Sequence, residues 1–392
     1  MEAWGYRVIT IDTGVMGDPS LPADFTRGVV AENGGKSLKQ LVDEANAGAD
    51  RKAATDMMTA GAEKIVRNLF SSGEMNAILC LGGTTAAASS VSIMKDLPIG
   101  FPKLLITTFL LLAPIGEEDI TVMQSPVDLL GLNKIVMKTL FNAAGAITGM
   151  VEHEVPKVVD EKKLVGITAL GVTTPAVQKL ITRIEARGYD SLVFHATTSK
   201  LEKMAKEGII NAILDITTFE IIPKVCYSDE QIARFYGSIE TDRSRLDCIF
   251  TRNIPLIMAP GGLDMHIFPG VTGIDGVPDE FKGRAWSMHG PNVVLVRTSR
   301  EELDKVGKAM ADKANRALGP VTIVIPLLGF SEASKKGASL HDPEADRAFI
   351  ASLKSAIDKD IKIKEVDCHI NDEQFADEVV KAFDEVAVNL RR

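Results

Sequence analysis

The stretch Leu164-Val165-Gly166-Ile167-Thr168-Ala169-Leu170-Gly171-Val172-Thr173-Thr174-Pro175-Ala176 decides the fold class. Its first half is a short aliphatic, β-branched run. Its second half is a glycine- and threonine-rich turn followed by a proline, which the first turn of a helix tolerates because the missing N–H would be unpaired there. The segment therefore predicts a strand that ends in a turn and opens into a helix. The same order returns at Gly82-Gly83-Thr84-Thr85-Ala86-Ala87, after the strand-like run 76–81.

Outward from these two copies, short β-branched runs at 7–12, 76–81, 103–107, 164–168, 191–194, 209–215, 255–258, 293–296, 321–325 and 361–366 alternate with helical stretches. The stretches 51–69, 133–151, 177–187 and 300–318 return an apolar residue every three or four positions. That rhythm predicts an α/β protein of two doubly wound, Rossmann-like domains with mainly parallel sheets. A chain of 392 residues suits two cores better than one. The polar, proline-bearing stretch 152–163 reads as the linker, which divides an N-terminal α/β domain, 1–156, from a C-terminal one, 157–392. Because Ala3-Trp4-Gly5-Tyr6 resembles the turn before a second strand, a strand and helix are expected ahead of it.

Composition narrows the partners. With 45% hydrophobic and 25% charged residues the chain is an ordinary globular one. A net charge of −9 disfavours nucleic acid and acidic membranes as partners. The four cysteines form no CxxC pair, which argues against zinc sites and disulfide frameworks and fits a reducing cytoplasm. No apolar run reaches the roughly 20 residues of a membrane helix. The expected setting is cytoplasmic.

Five Thr-Thr pairs lie at or just past predicted strand ends: Thr84-Thr85, Thr107-Thr108, Thr173-Thr174, Thr197-Thr198 and Thr217-Thr218. Ligands of open α/β sheets bind outside the carboxyl ends of strands, where hydroxyls and helix N-terminal amides converge. A threonine there also makes a good helix cap, but five together point to a ligand edge. In the two Gly-x-Thr-Thr turns, exposed amides suit a phosphate or carboxylate. The expected binding residues are Gly82, Gly83, Thr84, Thr85, Gly171, Thr173, Thr174, His195, Thr197, Thr217 and Thr218.

Gly34-Gly35-Lys36-Ser37 fails as a phosphate loop because Val30 stands where its first glycine is required. No Gly-x-Gly-x-x-Gly follows a predicted strand, so NAD is disfavoured. The long loop after 255–258 gathers Asp264, His266, Arg284 and His289, and Asp264 with His289 is the expected acid–base pair; a structural loop held by Asp264 is the alternative. Asp215 and Glu220 flank Thr217-Thr218, where paired carboxylates suit Mg²⁺ or sugar hydroxyls, or simply a helix start. The histidines lack zinc-site spacing, so no metal ligands are assigned.

The chain resembles the uncharacterised protein family that includes the tomato mosaic virus resistance protein, a family often labelled as ATP-binding. The resemblance runs through Ile11-Asp12-Thr13-Gly14, Gly82-Gly83-Thr84, Gly131-Leu132-Asn133, Gly171-Val172-Thr173-Thr174-Pro175, Phe194-His195-Ala196-Thr197, Asp215-Ile216-Thr217-Thr218, Pro260-Gly261-Gly262-Leu263-Asp264-Met265, His341-Asp342-Pro343-Glu344-Ala345-Asp346 and Ile370-Asn371-Asp372. It implies two α/β domains, a homodimer or higher homo-oligomer, and ATP as ligand. Two departures stand out. The family's usual opening strand and Gly-Thr-Leu-Asp-Thr-Lys-Gly loop are absent from this sequence, and Phe109-Leu110-Leu111-Leu112 replaces the usual Ala-Ser-Gly turn.

These readings combine into a cytoplasmic protein that binds ATP, with or without Mg²⁺, or another small phosphorylated or carboxylate ligand, held between the Gly-x-Thr-Thr turns of the two domains, with the second domain the surer half. It is expected to be an enzyme of unspecified reaction. The alternatives are a non-catalytic regulatory protein and a sugar-nucleotide transferase or epimerase, in which the helix 372–388 packs across the first domain.

Overall fold

The computed structural model describes residues 1–17, 19, 21–46, 51–108, 118–129, 131–153, 162–195, 198–236 and 245–391. Phe109-Leu110-Leu111-Leu112, Thr197 and most of the expected linker, 154–161, lie outside the described residues. The chain divides into two compact units, Met1–Lys157 and Val158–Arg392.

In the first unit α1 (Arg27–Gly34), α2 (Leu38–Asn46) and α3 (Arg51–Ser71) precede β1 (Ile78–Gly82), α4 (Thr84–Lys95), β2 (Lys103–Thr107), β3 (Thr121–Gln124) and α5 (Lys134–Glu152). The sheet runs β1-β2-β3, all parallel. Side-chain alternation along β2 shows why helices cover both faces. Leu105 packs with Ala87, Val91 and Met94 of α4, whereas Leu104 and Ile106 pack with Ala143 and Ile147 of α5. Residues 7–12 do not form the expected strand; their one ladder contact is a bridge from Ile11 to Phe25. The four-residue β3 was not anticipated.

The second unit continues with β4 (Leu164–Ala169), α6 (Thr174–Glu185), β5 (Asp190–His195), α7 (Ser199–Lys206), β6 (Ile210–Thr217), α8 (Ile221–Cys226) and α9 (Asp229–Tyr236). It then adds β7 (Leu256–Gly261), β8 (Met265–Pro269), β9 (Trp286–Met288), β10 (Val293–Arg297), α10 (Arg300–Asn315), β11 (Val321–Pro326), α11 (Pro343–Ala356), β12 (Lys362–Val366) and α12 (Glu373–Val386). Six strands make a parallel sheet in the order β12-β11-β7-β6-β4-β5. On β7, Leu256 and Met258 face the core of α7, α8, α10 and α11, and Ile257 and Ala259 face that of α6 and α12. The fold is thus α/β and doubly wound.

Two expectations change here. The run 293–296 is a strand, but it lies in a small antiparallel sheet, β8-β10-β9, because the long loop after β7 folds back as β8 and β9 on either side of it. Helix α12, expected to cross to the other domain in the sugar-nucleotide reading, is spent on the second unit's own core beside α6.

Close helix approach in the first unit depends on glycine. A Cβ at Gly61 of α3 would lie 1.9 Å from the carbonyl oxygen of Val30 in α1. Gly61→Ala must push the helices apart, and an unfolding free energy lowered by about 1–3 kcal/mol in urea denaturation is expected; an unchanged value would show that α1 moves at no cost.

Candidate functional site

The second unit's expected ligand edge is set by topology. After β4 the chain forms β5 on one side, then crosses to form β6 on the other. The carboxyl ends of β4 and β6 therefore flank the crevice in which open α/β sheets bind ligands. Here that crevice is closed by the protein's own groups. The Thr173 and Thr217 hydroxyls meet across it at 2.7 Å. The Thr168 hydroxyl donates to Asp215 Oδ1 and accepts from the Thr217 amide, each at 2.9 Å. The Thr218 hydroxyl donates to the Ala259 carbonyl at 2.9 Å. Thr173, Thr217 and Thr218 are all 0% exposed, which removes three of the expected contacts from any ligand reaching the surface.

Asp215 and Glu220 are likewise committed. Arg245, 1% exposed, donates from Nη1 to Asp215 Oδ2 at 2.6 Å and from Nη2 to Asp215 Oδ1 at 2.7 Å. Its Nε stands 3.4 Å from Glu220 Oε2, which also accepts from the Thr198 hydroxyl at 2.8 Å. A guanidinium fork matched to a carboxylate is the strongest common ion-pair geometry. The pair expected to suit Mg²⁺ or a sugar thus neutralises a buried arginine. Among the described residues no cluster of three metal-ligating side chains occurs.

The expected anion site at 171–175 is also filled. The Thr173 and Thr174 amides donate to the Leu170 and Gly171 carbonyls, Pro175 has no N–H, and the Ala176 amide donates to Asn371 Oδ1 at 3.2 Å. Asn371 Nδ2 reaches the Val172 carbonyl as well, and the Glu332 amide joins it there. Above these strand ends lies the turn after β7. Gly262 has φ +76°, and a Cβ there would meet Phe219, Thr217 and Leu170 within 3.4–3.7 Å. Val172, Met265, Leu295 and Leu340 form an apolar cluster that ties this edge to the small sheet. Gly171, Thr174, His195 and His289 stay exposed.

Asp264 and His289 occupy different environments. Asp264 is 0% exposed, its Oδ2 accepts from Ser331 at 2.5 Å, and its Oδ1 has no hydrogen-bond partner among the described residues. Burial pushes its carboxyl above the usual range, against the pull of Arg297 and Ser331. His289 is exposed, with its Nε2 3.3 Å from where a Cβ of Gly171 would stand. A sealed acid and a surface imidazole do not face one ligand as the expected acid–base pair; the Asp264 carboxylate instead accepts from Ser331. The histidine within a polar chain is His266, which the loop reading gathers without giving it a role. It is 0% exposed, with Tyr227 Oη 2.6 Å from Nδ1 and Glu302 Oε2 3.0 Å from Nε2. Glu302 also accepts from Arg284 at 2.7 Å. A neutral ring protonated at Nε2 satisfies both partners. Burial lowers the His266 pKa, and its own burial notwithstanding, Glu302 is held far below the carboxylate range by His266, Arg284 and the Ser299 amide.

The first unit's copy of the turn is open. Gly83, the residue before α4, is exposed, and among the described residues no side chain caps that helix. By contrast Asn133 caps α5 by accepting from the Ile135 and Val136 amides. Gly82 is required by close approach, since a Cβ would lie 2.3 Å from Ala86 Cβ. At Gly83 a Cβ would meet only the Thr108 hydroxyl at 4.0 Å. Thr85 is exposed, and the Thr84 side chain lies outside the described residues. The register pairs Gly82 with Thr107, so neighbouring strand ends bring the turn and the Thr108 hydroxyl together.

Two family models cover the chain. The N-terminal domain of an uncharacterised protein family, UPF0261, matches residues 1–156, and the C-terminal domain of the same family matches residues 162–387. A UPF0261 protein of Clostridium tetani is 36% identical over 386 residues, covering 96% of this chain and 91% of the relative. One of Rhizobium meliloti is 32% identical over 396 residues, covering 99% and 94%. The ToMV resistance protein Tm-1(GCR237) of Solanum lycopersicum is 33% identical over 330 residues, covering 80% of this chain and 42% of that protein.

Two outcomes follow from the buried charges. Arg245→Met removes the guanidinium from the buried Asp215 carboxylate, and a loss of about 3–5 kcal/mol in unfolding free energy is expected by urea denaturation; a loss under about 1 kcal/mol would mean Asp215 finds another partner. Because the folded-state pKa of His266 lies below its ordinary 6.5, its stabilising contribution is complete above that value and lost as pH falls through the folded one. Unfolding free energy should therefore decline as pH drops below about 6.5, more steeply in the wild type than in His266→Asn. Equal slopes would assign the decline to other groups.

Proposed function

The chain belongs to the uncharacterised protein family UPF0261, and on that footing we propose that it binds a phosphate-bearing small molecule, ATP or another phosphometabolite, at the open turn 82–85 of its first unit. The observation that carries this reading is the contrast between the two Gly-x-Thr-Thr turns. In the second unit Asn371 and the chain's own carbonyls take the amides, while in the first Gly83 brings no capping side chain to α4. The first amides of a 12-residue helix form a positive, donor-rich end that an anion satisfies. The Thr108 hydroxyl supplies a neutral donor beside it.

Mg²⁺ would arrive with a nucleotide, held mainly through its phosphates and water, as this cation usually is. Binding without turnover is the form favoured by the sealed Asp264 and the committed Asp215 and Glu220. A regulatory role in which the bound ligand biases docking of a partner is compatible with the plant relative's name as a resistance protein.

Titration calorimetry of the full chain with ATP, ADP and inorganic phosphate, alongside Gly83→Asp, tests the proposal. Asp is a strong helix cap and Gly83 has room for it, so the variant should fold with an unchanged or raised Tm. Its carboxylate would occupy the anion's place, and affinity should fall at least about tenfold, about 1.4 kcal/mol. Absence of binding by all three ligands sinks the function, and binding indifferent to Gly83→Asp sinks the location.

A further inference from the structure

We propose that residues 10–27 of the first unit form a binding site for a small monocarboxylate with an apolar body, anchored by Arg27 and made of residues other than the turn 82–85. The ends of this segment are tied together. The Phe25 amide donates to the Thr10 carbonyl and the Asp12 amide to the Phe25 carbonyl, both at 3.0 Å. Asp24 Oδ2 also accepts from the Thr10 amide at 2.7 Å and from the Thr10 hydroxyl at 2.8 Å. Between these ties the chain bows out around a cavity of about 340 Å³, and every residue that lines it comes from 10–27. That volume lies at the small end of the roughly 300–1,000 Å³ of ligand cavities. Ile11, Asp12 and Gly14, from a motif that neither the fold nor the turn 82–85 uses, stand in its wall.

Arg27 sets the chemistry. It is the first residue of α1, where the unpaired amides and the helix dipole already make the surroundings positive, so its own helix opposes the cation and favours an anion beside it. Its Nε stands 3.5 Å from Asp12 Oδ2, and its Nη1 donates to the Gly17 carbonyl. Asp12 Oδ1 is taken by the Gly14 amide at 2.8 Å. These contacts engage two of the five N–H groups of a guanidinium, which leaves N–H groups at the Nη1–Nη2 end for a planar carboxylate. Asp12 beside the fork limits the ligand's charge. The first negative charge is drawn by Arg27 and the helix start, whereas a second meets the Asp12 carboxylate at short range. Away from Arg27 the wall is apolar, with Ile11, Met16, Leu21 and Pro22. Met16 is 60% exposed and Leu21 79%, so an apolar ligand body removes from water surface that folding leaves in it. A charged head at the guanidinium and a hydrocarbon tail along Met16 and Leu21 is the ligand that fits both halves.

Titration calorimetry of the full chain with hexanoate, and with uncharged hexanamide as the control, is the test. Hexanoate is expected to bind saturably with a Kd of about 1 mM or tighter, and hexanamide at least about tenfold more weakly. Arg27→Lys keeps the charge but not the fork, and should weaken hexanoate binding at least about tenfold. Should Arg27→Lys fail to fold, Leu21→Asp, at an exposed position, carries the same expectation with an unchanged Tm, because it sets a carboxylate in the apolar wall. Gly83→Asp should leave hexanoate binding within about twofold of the wild type, which separates this site from the phosphate site and lets either stand without the other. No hexanoate binding overturns the proposal. So does hexanamide binding as tight as that of hexanoate, which would make the cavity an apolar groove with no anion recognition, or hexanoate binding that Leu21→Asp leaves unchanged or Gly83→Asp abolishes.

Discussion

Arg245 is the group on which the second unit's architecture turns. Removing a guanidinium from water costs several kcal/mol, and so does removing a carboxylate. The cost is offset only when fork and carboxylate match and the remaining lone pairs find donors. Asp215 meets both demands, with two guanidinium nitrogens and the Thr168 hydroxyl on its oxygens. Thr168 in turn accepts the Thr217 amide, and Thr217 reaches Thr173. One buried charge pair thus organises the ends of β4 and β6, and the loop after β7 can close over them without stranding polar atoms of the threonines.

The consequence is a division of labour between two copies of one local motif. A strand ending in glycine and two threonines leaves helix amides that need acceptors. In the second unit those acceptors are protein carbonyls and an asparagine from the far side of α12's start. In the first unit α4 starts at an exposed glycine, and among the described residues no side chain caps it. Two turns alike in residue type differ in whether the chain completes them.

Much of the fold was legible because it rests on local signals. Alternating aliphatic strands and amphipathic helices announce a parallel, doubly wound sheet, and the strands of the large sheet fall where β-branched runs stand. The short strands β3, β8 and β9 were less visible, being three to five residues long and, in β9, largely exposed. The candidate site was legible only as chemistry. Threonine pairs marked strand ends correctly, but a hydroxyl that caps, one that staples two strands and one that meets a ligand have the same letter. What separated them were Arg245 and Asn371, which lie 30 and 195 residues from the groups they satisfy and follow no pattern. The resemblance quoted the motif containing Asn371 without indicating that it closes the helix it touches. The loop that gathers His266 and Arg284 gave no sign of their pairing, since the His266 partners Tyr227 and Glu302 are 39 and 36 residues away on opposite sides in the chain.

The bond from the Ala176 amide to Asn371 has a bearing on how the protein comes to be folded. Contacts of such long separation must first overcome the entropy of closing a long loop, and topologies rich in them fold slowly. Until Asn371 arrives, the Ala176 amide at the start of α6 lacks that acceptor. Completing the turn at 171–175 is thus coupled to placing Asn371, so the last segment of the chain has a part in finishing the first helix of the unit.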